Sequence, residues 1–270
     1  MIQLKNAYLK WFKGKVKKAI TNYGMIENGD RLAVGLSGGK DSMALLHVLY
    51  LIRREVPVHF HLHAIFVNPG WPMDVDTMED FCRQRDIPFT NKITDIGEVV
   101  FEHREEKSPC ALCANLRRGA INNTARALGL NKLALGHHLD DAIETFLMSL
   151  VYTGQFRTFS PVTYMDRSDI TLIRPMIYIT GKTVETFVQR QEIPVVKSLC
   201  PVNGKTKREE MKELVTMLSD RYPELRTRFL TAFQTLDPEN LWPPMVCRNW
   251  QQYKKATAGN TPDNSERGAN

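Results

Sequence analysis

The segment Leu36-Ser37-Gly38-Gly39-Lys40-Asp41-Ser42 concentrates in one short stretch the groups that hold an anion. Gly38 and Gly39 let the backbone turn tightly, and with no Cβ in the way an anion can approach the amide N–H groups. Ser37 and Ser42 add hydroxyl donors, and Lys40 adds a mobile positive charge. Asp41 does not suit a bare anion site, but beside a nucleotide it suits a magnesium ion. A Walker A loop is excluded, because that loop needs four residues between its first glycine and its Gly-Lys pair. The plain alternative is a Gly-rich strand–helix turn that binds nothing. Five fixed residue types match by chance in about one window per million, and the position between a strand and a helix argues for the anion site.

A second constellation is Gly136-His137-His138-Leu139-Asp140-Asp141. One aspartate at a helix start is explained by capping and by the helix dipole. Two acids, two histidines and a glycine exceed what capping needs. In a parallel sheet, the strand end before this segment faces the same crevice as the phosphate loop. Asp140 or Asp141 is then placed to hold magnesium or act as a general base. His137 is placed to contact a phosphate, and Gly136 to let a nucleotide come close.

The third constellation is Cys110-Ala111-Leu112-Cys113 with a lone Cys200-Pro201 far downstream. A CxxC pair by itself fits a zinc knuckle, a redox pair or cluster ligands. Thiols at a helix start are acidified and therefore become good ligands. A Cys-Pro bend after a cluster ligand has precedent in iron–sulfur proteins. Cys82, beside Phe81 in a helical pattern, reads as core; Cys247 reads as a spare thiol or a fourth ligand.

These residues need elements to hold them. Short apolar runs at 31–36, 58–67 and 132–135, with a weaker one at 87–93, alternate with helical patterns at 42–54, 74–85, 113–128 and 139–152. That rhythm predicts βαβ units and an α/β fold: a Rossmann-like parallel sheet with helices on both faces. After Gly154 the pattern changes to a strand pair at 162–164 and 171–174, then helices at 182–191, 206–218 and 223–236. The expected organisation is a basic N-terminal helix (1–28), an α/β domain carrying the phosphate loop (29–178), a small C-terminal helical extension (179–253) and a disordered tail (254–270). In the first segment Lys5, Lys10, Lys13, Lys15, Lys17 and Lys18 accompany Leu9, Phe12, Val16 and Ile20 at helical spacing. A solvated face on a packed helix is the first reading of that segment, a phosphate-backbone contact the second, and a membrane-surface helix the third.

Composition narrows the class. With 43% hydrophobic and 24% charged residues over 270 positions, the chain is an ordinary globular one, neither collagen nor largely disordered. The net charge of +6 admits an acidic partner without naming it. No run is apolar enough for a transmembrane helix. The first 20 residues lack the apolar run of a signal peptide, so the five cysteines read as reduced thiols of a cytoplasmic protein.

The set SGGKDS, C-x-x-C-x-x-x-Arg-Arg-Gly, GHHLDD and a lone Cys-Pro resembles the tRNA 2-thiocytidine synthetase family of PP-loop ATP pyrophosphatases, over about residues 30–235. The resemblance implies an adenine nucleotide alpha hydrolase-like sheet with ATP at its strand ends. It implies phosphates in the loop from Leu36 through Ser42, and adenine against the backbone at the end of the second strand, near Ala64–Val67, with Ala64 and Phe66 among the ATP-binding residues. It also implies Lys40, Asp41, Asp140 and Asp141 as catalytic groups, with Asp41 on Mg²⁺. Cys110, Cys113 and Cys200 would hold a [4Fe–4S] cluster with one iron open to sulfide. The implied reaction adenylates O2 of a pyrimidine, cytidine 32 of the anticodon loop, and replaces that oxygen by sulfur. The implied partners are tRNA, a sulfur donor such as a cysteine desulfurase or free sulfide, and a second copy in a homodimer. Two other readings stay open: a PP-loop enzyme with structural zinc acting on another tRNA base, and a non-catalytic sensor of ATP, cluster and RNA. Arg117 and Arg118, one turn beyond Cys113, and Lys205, Lys207 and Arg208, after Cys200, are the expected RNA-binding cations; Lys197 also flanks that site. Trp71 and Phe156 are candidate stacking partners for a splayed base. The loop 68–72 is shorter than the family pattern.

Overall fold

The computed structural model describes residues 2–103, 109–196, 200 and 207–236. Met1–Thr227 form one compact unit, and Arg228–Asn270 a second, described only as far as residue 236. The expected boundaries at 28 and 178 both fall within the first unit. Helix α1 (Ile2–Asn22) buries Phe12, Val16 and Ala19 in the main core. Phe12 stacks on Phe187 with ring centroids 3.9 Å apart, which ties the N-terminal helix to the far end of the same unit. With its apolar face covered in this way, α1 is a packed helix with a solvated basic face.

The strands are β1 (Arg31–Leu36), β2 (His61–Asn68), β3 (Phe89–Ile93), β4 (Lys132–Ala134), β5 (Val162–Met165) and β6 (Ile170–Ile173). Their order is β3-β2-β1-β4-β6-β5, all parallel except the β5–β6 hairpin. Chain order reverses between β1 and β4, the switch point at which open α/β sheets form their crevice. The α/β expectation of a mostly parallel, Rossmann-like sheet is borne out.

The crossovers are α2 (Lys40–Arg53), α3 (Val75–Arg83), the short α4 (Ile96–Glu98) running into a π-helical turn (Val99–His103), α5 (Pro109–Ala127) and α6 (Leu139–Thr153). Beyond the hairpin come α7 (Gly181–Arg190), α8 (Lys207–Arg221) and α9 (Leu225–Gln234). Strand side chains alternate between faces. Val34, Leu36, Ala64 and Phe66 enter the core under α1, α2 and α7, whereas Ala33, Ile65, Val67 and Leu133 enter the core under α5. Helix α2 is packed by β1, α1 and α7 at once, so it carries apolar residues around most of its circumference.

Two elements differ from expectation. Helix α5 begins at Pro109, one turn before the apolar periodicity starts, so Cys110 and Cys113 both lie in its first turns. Proline suits a first helical turn because its missing N–H would have no partner there. The segment 96–103 is helical although its apolar spacing is too short to announce it.

Candidate active site

Strand β1 ends at Leu36 and the chain turns at Gly38, which has φ +78°. A Cβ there would stand 2.9 Å from the Val196 Cβ, so the position is limited by both conformation and space. The loop is stapled by its own hydroxyls. Ser37 N–H donates to Ser42 Oγ at 3.1 Å, and Ser42 Oγ donates to the Gly39 carbonyl at 3.0 Å. Lys40 Nζ donates to Asp41 Oδ1 at 2.6 Å, with both side chains partly exposed. The start of α2, with Gly39 in extended conformation before it, carries the free N–H groups that attract phosphate.

The segment after β4 lies directly against this loop. A Cβ on Gly136 would stand 3.0 Å from the Asp41 carbonyl carbon and 3.0 Å from the Ser42 nitrogen. Glycine is what lets the two motifs touch. Around a cavity of about 380 Å³ the chain gathers Ser37, Asp41 and Ser42 from the loop, His137 and Asp141 from the second motif, and Arg117 and Arg118 from α5. Gly136 and Leu36 border it too, and Val67, Ile121, Leu133, Leu135 and Leu172 form an apolar wall. An apolar slot with charged groups at one end suits a nucleotide, whose base is apolar on its faces and whose phosphates are anionic.

Asp140 and Asp141 separate sharply. Asp141 borders the cavity, accepts from its own helix start through His138 N–H at 2.9 Å, and pairs with Arg208 Nη1 at 3.3 Å. Asp140 is buried and does not border the cavity. It accepts from Gly181 N–H at 2.7 Å and from Arg226 Nε at 2.6 Å. The expected catalytic pair is therefore one cavity-lining acid and one acid occupied by structural partners. Neighbouring helix positions are rotated about 100° apart, which forces this divergence.

His138 stands among the acids: its Nε2 is 3.6 Å from Asp41 Oδ1, and its Nδ1 is 3.4 Å from Asp141 Oδ2. His137 is held by burial well below the usual imidazole range, at about 4, with Arg174, Arg208 and His138 opposing its protonation and Asp141 favouring it. Glu144, one turn along α6, was missed by the sequence reading. Burial lifts its carboxyl to about 7, with Asp141 and Asp140 adding repulsion and Arg208 and Lys212 opposing the rise. Arg174 was missed as well, because one arginine after a strand carries no spacing signal. It is buried, packs over the Phe159 ring at 4.8 Å and donates to His137.

Cys110 is exposed, while Cys113 and Cys200 are half-buried. Burial pushes the Cys113 thiol up; Arg117 pulls it down, and Cys200 and Cys110 push it up again. Cys110 and Cys200 thus each lie within electrostatic range of Cys113. Such a soft sulfur set gains by sharing a positive centre, which fits an iron–sulfur cluster. Among the described residues no three His, Cys, Asp or Glu side chains are gathered around one ion position. The hard oxygen donors Asp41 and Asp141, both on the cavity, fit magnesium beside a triphosphate.

Other expectations resolve individually. Ala64 and Phe66 point into the opposite core and do not border the cavity; Val67, of the other parity, does. Gly38, Gly39 and Lys40 lie at the helix start outside the cavity lining. Arg208 reaches Asp141 and Thr145, and Lys207 sits over the Tyr152 ring at 4.4 Å. Trp71 packs on Gly97 and lies 5.7 Å from Phe101, whereas Phe156 is exposed and edge-on to Phe146 at 4.8 Å. Cys82 is a core thiol, pushed up to about 12 by burial. Lys197, Lys205, Cys247 and the tail 254–270 lie outside the described residues. No helix among the described residues is long and apolar enough to cross a membrane.

The sequence matches the PP-loop domain over residues 9–213. The tRNA-cytidine(32) 2-sulfurtransferase of Syntrophotalea carbinolica is 40% identical over 230 residues, covering 83% of this chain and 88% of that protein. The enzyme of the same name from Geobacter sulfurreducens is 36% identical over 240 residues, covering 87% and 93%. In architecture the chain is similar to the U34-tRNA thiolase NcsA from Methanococcus maripaludis, solved with its [4Fe–4S] cluster. The TM-score is 0.69 at 23% identity, covering 93% of this chain and 89% of that one, and this likeness supports the fold.

Proposed function

The chain belongs to the PP-loop family, with the tRNA-cytidine(32) 2-sulfurtransferases as its relatives, and from that premise we propose that it is an ATP-dependent tRNA sulfurtransferase acting at C2 of cytidine 32. The observation that carries the reading is the meeting of three separate segments at one cavity. The phosphate loop, the Gly136–Asp141 motif and the arginines that follow the CxxC pair all border it.

In this reading the α2 N-terminus and Lys40 bind the ATP phosphates, and the apolar wall takes the base. Oxygen O2 of the cytosine attacks the α-phosphorus; the bond to pyrophosphate breaks, and O2 carries AMP. Hydrosulfide then adds at C2 and loses its proton, and the C2–O bond breaks to release AMP; sulfur delivered as a cysteine desulfurase persulfide is first reduced to sulfide by a thiol, which leaves as a disulfide. Arg117 and Arg118 stabilise the negative charge that develops on the phosphates. Asp141, held by His138 N–H and Arg208, is the cavity's acid for proton or cation handling. Asp41 and Asp141 would hold magnesium, which supplies neutralisation of the triphosphate when bound. Cys110, Cys113 and Cys200 would hold the [4Fe–4S] cluster, which supplies an open iron for sulfide.

Mass spectrometry of tRNA nucleosides from a strain lacking this gene tests the reading. The thiolated cytidine should disappear, and should return with the wild-type gene but not with D141N. An unchanged nucleoside profile would remove the sulfurtransferase reading.

A further inference from the structure

His137 borders the cavity, yet its ring is gripped from behind. Arg174 Nε donates to His137 Nδ1 at 3.3 Å. A guanidinium has no acceptor, so this contact requires Nδ1 to be without a proton. Arg174 is in turn fixed: Nη1 donates to the Ser160 carbonyl at 2.6 Å and to Thr163 Oγ1 at 3.3 Å. The Phe159 ring packs against both residues, 5.1 Å from the imidazole and 4.8 Å from the guanidinium. Nε2 of His137 has no hydrogen-bond partner among the described residues, and the residue faces a cavity lined by phosphate-loop groups.

We propose that Arg174 is a positioning residue that fixes His137 in the Nε2-protonated tautomer, so that the cavity wall presents one oriented N–H donor to an acceptor atom of the bound nucleotide. The proposal deepens the reading of the cavity as an ATP site and rests on it for the identity of the ligand. It makes chemical sense next to Arg117 and Arg118. Those guanidiniums attract phosphate from any direction, whereas a single uncharged donor selects an acceptor at one place. The titratable and charged groups that face His137 are Asp141, Arg174, Arg208 and His138; burial, Arg174 and Arg208 outweigh Asp141 and hold the imidazole unprotonated near neutral pH. Burial and the nearby Arg118 pull Arg174 down only to about 10, so it keeps its charge there.

Nitrogen-detected NMR of the histidine rings tests the proposal on the wild-type protein, with H137Q used to assign the resonances. Nδ1 of His137 should show the unprotonated shift and Nε2 the protonated one; the reverse tautomer would overturn the proposal. This readout stands apart from whether the enzyme thiolates tRNA. In R174M the two tautomers should mix, and KM for ATP in pyrophosphate release should rise about tenfold with kcat nearly kept, the size of one lost hydrogen bond. H137Q, whose amide N–H reaches the Nε2 position, should recover most of what H137A loses. A tautomer unchanged in a folded R174M would also overturn the proposal. If the tautomer behaves as stated while ATP is not bound at all, the nucleotide reading fails and the positioning stands.

Discussion

Arg226 Nε donates to Asp140 Oδ1 at 2.6 Å, reaching the first turn of α6 across 86 positions of sequence. The same carboxylate caps α7 through Gly181 N–H. Asp140 thereby ties Arg226 and the start of α7 to α6, while Asp141, its neighbour, faces the cavity. The two should respond differently to the same change. D140N leaves a half-buried guanidinium short of its counter-charge and should cost about 2–3 kcal/mol, or about 5–10 °C in Tm. D141N should leave Tm within a few degrees and abolish pyrophosphate release. Thermal melts and a pyrophosphate assay separate the two, and equal melting with equal activity loss would show that the acids share one role.

Gly136 is the contact point of the two motifs. G136A puts a methyl group 3.0 Å from the backbone of Asp41 and Ser42, neither of which is the end of a flexible side chain. Overpacking of this kind costs about 1–3 kcal/mol. The expected result is a protein that folds, with KM for ATP raised about tenfold or more, since the loop must shift. Isothermal titration with ATP measures it.

Glu144 predicts a pH dependence. Its folded pKa, at about 7, lies above the unfolded value near 4.5. The folded state therefore binds this proton more tightly. The stabilisation is full below pH 4.5 and is lost as pH rises through 7. E144Q cannot ionise and should remove that loss, leaving the variant more stable than wild type at pH 8 by about 1–2 kcal/mol after solvent screening. His47 and His137, each held at about 4 by burial, act with the opposite sign between pH 6.5 and 4, so the test is the difference between variant and wild type in urea melts.

The thiols should differ in reactivity when no cluster is bound. Cys110 is exposed and should alkylate first at pH 8, Cys113 more slowly because its thiol is pushed up, and Cys82 only on unfolding. Peptide mass spectrometry after timed alkylation gives the order. Prepared anaerobically, the protein should be brown, and C110A, C113A and C200A should each lose both colour and thiolation.

Arg117 and Arg118 line the cavity mouth, whereas Arg208 is already paired with Asp141. R118A should slow pyrophosphate release, through the ATP phosphates, and lower the salt dependence of tRNA binding by about one unit of slope. R208A should instead disturb Asp141 and act on turnover more than on binding.

Much of this was legible in the chain. Alternation of apolar runs with helical spacing is a local signal, and it located the elements from β1 through α9 to within a few residues, except the helical segment 96–103. The phosphate loop and the Gly136–Asp141 motif were legible because their chemistry is packed into contiguous residues. The run 58–67 is apolar on both faces, and nothing in it says that the Val67 side chain borders the cavity while those of Ala64 and Phe66 enter the opposite core.

Arg174, Glu144 and the parting of Asp140 from Asp141 belong to the tertiary structure alone. Arg174 gains its role from His137, 37 positions away, and Asp140 from Arg226. Sequence specifies which groups are available and the period on which they face; which of them meet is decided by strand order and helix packing. Burial is set only when those layers close. It is burial that turns an ordinary glutamate into a carboxyl titrating near neutrality.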